Sequence, residues 1–139
     1  MDLAWILDHE LCLAERYRRF VSIALLKANS KADSFPQALR SAARRSDLIF
    51  QMRDSVYVVL MSETDRDGAT KAISRLLHAG PAGEKNFSVT STICSYPADG
   101  ADAVSLLSNG LKSLGEKEEY LPPHPNPIPA YFSEPGSPA

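Results

Sequence analysis

The chain has 139 residues, of which 44% are hydrophobic and 23% charged, with a formal net charge of −2. This length suits one globular domain and is too short for two ordinary ones, and the charge argues against a nucleic-acid-binding protein, which usually carries a basic face. The N-terminus has acidic residues among its apolar ones, so it is not a signal peptide, and no apolar run approaches the length of a membrane span. We therefore expect a cytoplasmic protein without membrane insertion, whose two cysteines, Cys12 and Cys94, are free thiols.

The first third of the chain predicts helix, strand and helix. Asp2 is placed to cap a helix in which apolar residues recur every three or four positions. Residues 20–26 are apolar and partly β-branched, which is typical of a buried central strand. The polar segment 27–33 then predicts a loop, and Ser34 and Pro36 mark the start of a second helix.

Two strands and a third helix are predicted next. Residues 47–52 and 56–61 alternate or run apolar on either side of a short polar turn, which indicates a β-hairpin. Thr64 or Asp67 is placed to cap the following helix, and Gly80 suits the end of that helix.

The last third predicts a strand, a helix and a tail. Residues 87–96 form the fourth predicted strand, and Asp102 caps a final helix that stops near Gly115. The segment 121–129 contains five prolines, which cannot donate backbone hydrogen bonds to a helix or sheet. We therefore expect one domain over residues 1–118 and a disordered, Pro-rich tail over residues 119–139.

The predicted order β-α-β-β-α-β, with one added helix at each terminus, indicates an α+β fold. Its core is the ferredoxin-like βαββαβ arrangement, with an antiparallel sheet and helices mainly on one face. Many unrelated proteins share this arrangement, so it does not by itself indicate a function.

The predicted hairpin carries a family resemblance. Residues 46–61, SDLIFQMRDSVYVVLM, resemble without a gap the pattern SDLVARYGGDEFVVLL of the GGDEF domains of diguanylate cyclases. Residues 10–26 are similar to that family's first helix and strand, residues 62–65 to its PETD turn, and residues 87–100 to its last strand and loop. Together these pieces cover roughly residues 5 to 115, and the resemblance implies a bacterial signalling protein.

The departures from the family pattern lie where its members bind nucleotide and metal. The five GGDEF positions read Arg-Asp-Ser-Val-Tyr, so both glycines are absent, and Ser55 and Val56 replace the two acids. Lys27 aligns with a metal-binding carboxylate at the end of the first strand, where a positive charge opposes Mg²⁺. The resemblance therefore implies a degenerate GGDEF domain that is not an enzyme and has no catalytic residues, no metal ligands and no cofactor.

A possible ligand site remains at the start of the second strand. Arg44 and Asp47 form an Arg-x-x-Asp motif at the spacing of the family's inhibitory site, where cyclic di-GMP binds. Arginine can hold guanine or phosphate in a bidentate manner, and aspartate can accept hydrogen bonds from guanine. We expect both side chains on one exposed corner, with Arg45 as a candidate second clamp. Alternatively, Asp47 only ends the helix, and the arginines are a solvated helix end.

Two functions therefore remain open from the sequence. One is a regulatory module that binds an unidentified protein partner, with the Pro-rich tail as a candidate contact. The other is a cyclic di-GMP receptor that uses Arg44 and Asp47. A zinc site is not supported, because Leu13 stands where the pattern begun by His9 and Glu10 needs a second histidine.

Overall fold

The computed structural model describes residues 3–28, 34–53, 55–78, 89–115 and 126–127. The elements, in chain order, are α1 (Leu3–Tyr17), β1 (Val21–Ala28), α2 (Ser34–Ala42), β2 (Leu48–Arg53), β3 (Val56–Ser62), α3 (Arg66–His78), β4 (Val89–Tyr96), α4 (Ala103–Ser113) and β5 (Asn126–Pro127). The predicted roles of Asp2 and Gly80 fall outside the described residues. Within the described residues, no helix is both long and apolar enough to span a bilayer.

The strands form one antiparallel sheet in the order β4-β1-β3-β2-β5. The first four strands have the order of a ferredoxin-like core, which confirms the predicted fold class. The fifth strand corrects the prediction that the Pro-rich region forms no sheet, because Asn126 and Pro127 pair with Gln51 and Phe50 of β2. Proline is tolerated there because an edge strand need not donate every backbone hydrogen bond. The rest of residues 119–139 lies outside the described part of the chain.

Helices cover both faces of the sheet. The helices of the βαββαβ core, α2 and α3, pack on the face that contains Ala24 and Leu26. The added terminal helices, α1 and α4, pack on the opposite face against Ile23 and Leu25, so the helices do not lie mainly on one face. Strand β1 is consequently buried on both sides, which explains its apolar run over residues 23–26.

The starts of α3 and α4 show how side chains fix the loops. The Asp102 carboxylate accepts a hydrogen bond from the Ser105 amide at 2.8 Å, as predicted, and this bond lowers the pKa of Asp102. Neither predicted cap is used in α3. Instead, the Gly68 amide donates to Asp65 Oδ1 at 2.8 Å. Thr64 is buried and its hydroxyl bonds elsewhere, so Asp65 takes the capping role.

Candidate functional site

The predicted pair Arg44 and Asp47 meets at the corner between α2 and β2. The Arg44 backbone amide donates to Asp47 Oδ2 at 2.9 Å, and Arg44 Nε lies 3.8 Å from Asp47 Oδ1. The Asp47 amide in turn donates to the Arg44 carbonyl at 3.0 Å. The motif therefore closes a tight turn in which side chain and backbone contact each other.

Asp47 is buried, which corrects the expectation that both side chains are exposed. Its exposed fraction is 3%, because the carboxylate folds back onto the backbone of the turn, whereas the Arg44 side chain is 53% exposed. Within the described residues, Asp47 Oδ1 is a buried oxygen without a hydrogen-bond partner. The pair thus presents an exposed guanidinium in front of a buried carboxylate that still has accepting capacity.

Arg44 lines a cavity of about 800 Å³. We call it the Arg44 cavity. The other lining residues are Phe20, Glu63, Thr64, Asp65, Gly68, Thr70, Lys71, Ala72, Ser74 and Arg75. Lys71 and Arg75 lie one turn apart on α3, so two more cations lie on the wall of this cavity. Arg45 is exposed but is not among the lining residues, and its role as a second clamp stays a prediction.

A hydrogen-bond network runs from Arg44 across the sheet. Arg44 Nη2 donates to the Thr64 hydroxyl at 2.8 Å, and the Ser22 hydroxyl donates to the Thr64 carbonyl at 2.7 Å. Ser22 and Ser95 share a hydroxyl hydrogen bond of 2.8 Å, and the Ser95 amide donates to Asp99. The buried polar residues of the described chain are Ser22, Asp47, Thr64 and Ser95, and all four belong to this network. Buried polar groups connected in this way fix the position of the Arg44 side chain.

The opposite end of the sheet holds the hairpin turn that aligns with the GGDEF positions. The Ala28 amide donates to the Ser55 carbonyl at 2.9 Å, and Lys27 pairs in register with Val56. No group of three or more His, Cys, Asp or Glu side chains that could hold a metal occurs among the described residues. Lys27, Ser55 and Val56 together supply one hydroxyl oxygen and no carboxylate, so these three side chains do not form a Mg²⁺ site.

Lys71, Arg75, Phe20 and Glu63 were not identified as site residues from the sequence. Each lies far from Arg44 along the chain and reaches the cavity only because β1 and α3 begin, and β3 ends, at the same edge of the core. The spacing of Lys71 and Arg75 on a predicted amphipathic helix was a usable signal, but it could not show which surface that helix faces.

The chain matches no protein-family model and no curated protein. Its fold matches the GGDEF domain of PA1120 (YfiN or TpbB) from Pseudomonas aeruginosa with a TM-score of 0.72 and 15% identity, covering 81% of this chain and 84% of that one. It matches the active GGEEF domain of a diguanylate cyclase from Vibrio cholerae with a TM-score of 0.69 and 9% identity, covering 81% and 85%. It also matches the diguanylate cyclase SiaD, solved with its activator SiaC from Pseudomonas aeruginosa, with a TM-score of 0.53 and 17% identity, covering 67% of this chain and 44% of SiaD. The chain therefore has the fold of GGDEF domains, which confirms the resemblance.

These matches contradict the prediction that the chain is not an enzyme. The Vibrio cholerae domain is an active diguanylate cyclase domain, and the two backbones correspond over most of both chains. That prediction rested on the side chains of one turn and one strand end. In the Vibrio cholerae domain this fold supports an enzyme. The substitutions at Lys27, Ser55 and Val56 therefore do not establish that this chain catalyses no reaction.

Proposed function

We propose that this chain is a regulatory domain of GGDEF fold that binds cyclic di-GMP in the Arg44 cavity. One observation carries the proposal: the Arg44 guanidinium, backed by Asp47, shares a cavity of about 800 Å³ with Lys71 and Arg75. A cavity of this size is within the range that holds small-molecule ligands.

The chemistry of the cavity wall suits this ligand. Cyclic di-GMP carries two phosphate charges and two guanine bases. Arg44 offers a planar fork that binds guanine O6 and N7 or a phosphate, and Lys71 and Arg75 supply two further positive charges. The same wall carries the acids Glu63 and Asp65, so its three cations exceed its two carboxylates by one charge, on a chain whose net charge is −2. This small local excess favours an anionic ligand.

Isothermal calorimetry on the full chain tests the proposal. We expect Arg44→Ala to weaken cyclic di-GMP binding about tenfold to a hundredfold, since a good bidentate contact is worth about 1–3 kcal/mol. Arg44→Lys should also weaken it, because lysine has no fork. Arg16→Ala is the matched control, since it removes the same charge from an exposed α1 position outside the cavity. Arg45→Ala tests the predicted second clamp. Absence of binding heat from the wild type at high micromolar ligand would refute the proposal.

A protein-interaction role is the second candidate, and an exposed aromatic pair on α1 favours it. Trp5 is 66% exposed and stacks on His9 with ring centroids 5.6 Å apart and an interplanar angle of 6°. Exposed tryptophans are frequent energetic centres of protein interfaces. The SiaD structure, in which a diguanylate cyclase is bound to its activator, shows such a complex for a protein that shares this fold.

The single tryptophan makes this second candidate testable. Partner binding over α1 should shift Trp5 emission to shorter wavelength and protect it from acrylamide. Trp5→Ser should abolish co-purification of the partner. Val104→Ser, which changes a 57% exposed residue on α4, should not. Equal partner recovery from wild type and Trp5→Ser would reject α1 as the contact.

A further inference from the structure

An exposed phenylalanine forms part of the wall of the Arg44 cavity. Phe20 precedes β1, is 54% exposed and lines the cavity. Val21 pairs with Ser62, so continuing this register places Phe20 across from Glu63. A half-exposed aromatic ring beside cations is a surface on which a nucleobase can stack.

Glu63 supplies a carboxylate at the same place. It lines the cavity, its side chain is 63% exposed, and its oxygen lies 3.1 Å from Arg19 Nη1. Its backbone has a φ of 53°, in the left-handed region that a glutamate adopts only at some cost. The ion pair with Arg19 is a surface pair and so contributes little stability that ligand binding would have to replace.

Arg44 is held by the residue that follows Glu63. The Thr64 hydroxyl accepts the 2.8 Å hydrogen bond from Arg44 Nη2. An aromatic ring, a carboxylate and a guanidinium therefore line the same cavity.

We propose that Phe20 is the stacking platform and Glu63 the base-edge acceptor for a guanine in the Arg44 cavity. This inference rests on the proposed cyclic di-GMP binding and specifies how the base is read. Asp47 is less suited to that task, because it is 3% exposed and its Oδ2 already accepts the Arg44 amide. The Glu63 carboxylate can accept from guanine N1–H and N2–H together, while Arg44 donates to O6 and N7. Adenine presents an acceptor at N1, so Glu63 disfavours it.

The Phe20 half of the proposal is tested by calorimetry on full-length variants with cyclic di-GMP. Phe20→Leu should weaken binding about tenfold or more, the usual effect of losing a stacked aromatic residue, and Phe20→Tyr should preserve it. Tyr17→Leu is the matched control, because Tyr17 is also 54% exposed but does not line the cavity. Melting curves confirm that each variant is folded.

The Glu63 half is tested by base preference. Glu63→Gln should weaken cyclic di-GMP binding about tenfold. It should also reduce the ratio of the chain's affinity for cyclic di-GMP to its affinity for cyclic di-AMP. Arg19→Gln removes the same ion pair but keeps the carboxylate, so cyclic di-GMP binding should be unchanged or tighter.

The possible results separate the two proposals. Arg44-dependent binding that is unaffected by Phe20→Leu and Glu63→Gln leaves the proposed function standing and overturns this inference. Equal weakening by Glu63→Gln and Arg19→Gln also overturns it, because the ion pair alone would then explain the effect. A wild-type chain that binds neither dinucleotide removes the proposed function and this inference together.

Discussion

The contact between Gly110 and Leu25 gives a quantitative test of how α4 packs on the sheet. A Cβ atom on Gly110 would lie 2.5 Å from Leu25 Cδ1 and 2.9 Å from Cδ2, whereas carbon atoms in contact normally lie about 3.5–4.0 Å apart. Leu25 is fully buried at the centre of β1 and has little room to move. Glycine in the middle of a helix is therefore explained by the close approach of α4 to the sheet.

Gly110→Ala sets two opposing effects against each other. Alanine in a helix interior is favoured over glycine by about 1 kcal/mol, but overpacking a dense core costs about 1–3 kcal/mol. The required shift of Leu25 is about 1 Å, so we expect a net loss of about 1 kcal/mol in the free energy of unfolding. In a Leu25→Val background both Cδ atoms are gone, and the nearest remaining atom is a γ carbon, at about the 3.2 Å of Leu25 Cγ. Gly110→Ala should then be close to neutral, because the gain in helix propensity offsets this milder contact. The coupling energy between the two positions is therefore about 1 kcal/mol.

Urea unfolding of the wild type, both single variants and the double variant measures this coupling directly. Gly68→Ala is the control, because its Cβ would approach Asp65 and Thr64 at 3.2 Å and not Leu25. It should show no coupling to Leu25→Val. If the changes in unfolding free energy of Gly110→Ala and Leu25→Val add to within about 0.5 kcal/mol, the close contact with Leu25 does not explain why glycine occupies position 110.

Three further predictions concern caps, thiols and the tail. Asp102→Ala should lower the melting temperature by on the order of a few degrees because the Ser105 amide loses its acceptor. Asp102→Asn should leave the melting temperature nearly unchanged, because asparagine keeps an accepting side-chain oxygen. The hydrogen bond lowers the folded-state pKa of Asp102. The stabilisation is therefore present above the pKa of the unfolded state and is lost as pH falls through the pKa of the folded state. Melting curves from neutral pH to about pH 3 check that stability falls with pH. Burial, and secondarily Asp99, raises the pKa of Cys94 to about 11, so a thiol reagent at about pH 8 should modify only the exposed Cys12 rapidly, and two fast thiols would contradict the burial of Cys94. Removing residues 119–139 should change the melting temperature by only a few degrees, since the described contact of this segment is the pairing of Asn126 and Pro127 with β2. A loss of more than about ten degrees would show that the tail supports the core.

The fold could be predicted from the sequence because each core element carries a local signal. Strand β1 has an apolar centre over residues 23–26 since both of its faces are covered, and the Asp102 cap acts within one helical turn. The α3 cap was missed because three residues within four positions, Thr64, Asp65 and Asp67, could each serve. Tertiary contacts decide between them: Thr64 is buried under Arg44, so its hydroxyl is occupied and Asp65 caps.

The candidate site was only partly predictable for a similar reason. Arg44 and Asp47 are three residues apart at a turn, so their proximity follows from local geometry. The burial of Asp47 follows from its carboxylate folding back onto the Arg44 amide, an orientation that the spacing of the two residues alone does not specify. Phe20, Glu63 and the α3 cations join the site through sheet register and helix rotation, which the sequence does not specify residue by residue.

Thr64 links the stability of this end of the sheet to the position of Arg44. Its hydroxyl donates to the Ser62 carbonyl at 2.9 Å and accepts from Arg44, while its own carbonyl accepts from Ser22. Thr64→Val keeps the shape but removes both hydroxyl bonds, which should cost about 1–2 kcal/mol of stability and release the guanidinium. Cyclic di-GMP binding should then weaken several-fold, because a freed arginine must be ordered again on binding, and Thr64→Ser should restore both properties. Urea unfolding and calorimetry on the wild type, Thr64→Val and Thr64→Ser separate the role of Thr64 in stability from its role in binding. A valine variant that loses stability but binds as tightly as the wild type would show that Thr64 supports only the fold.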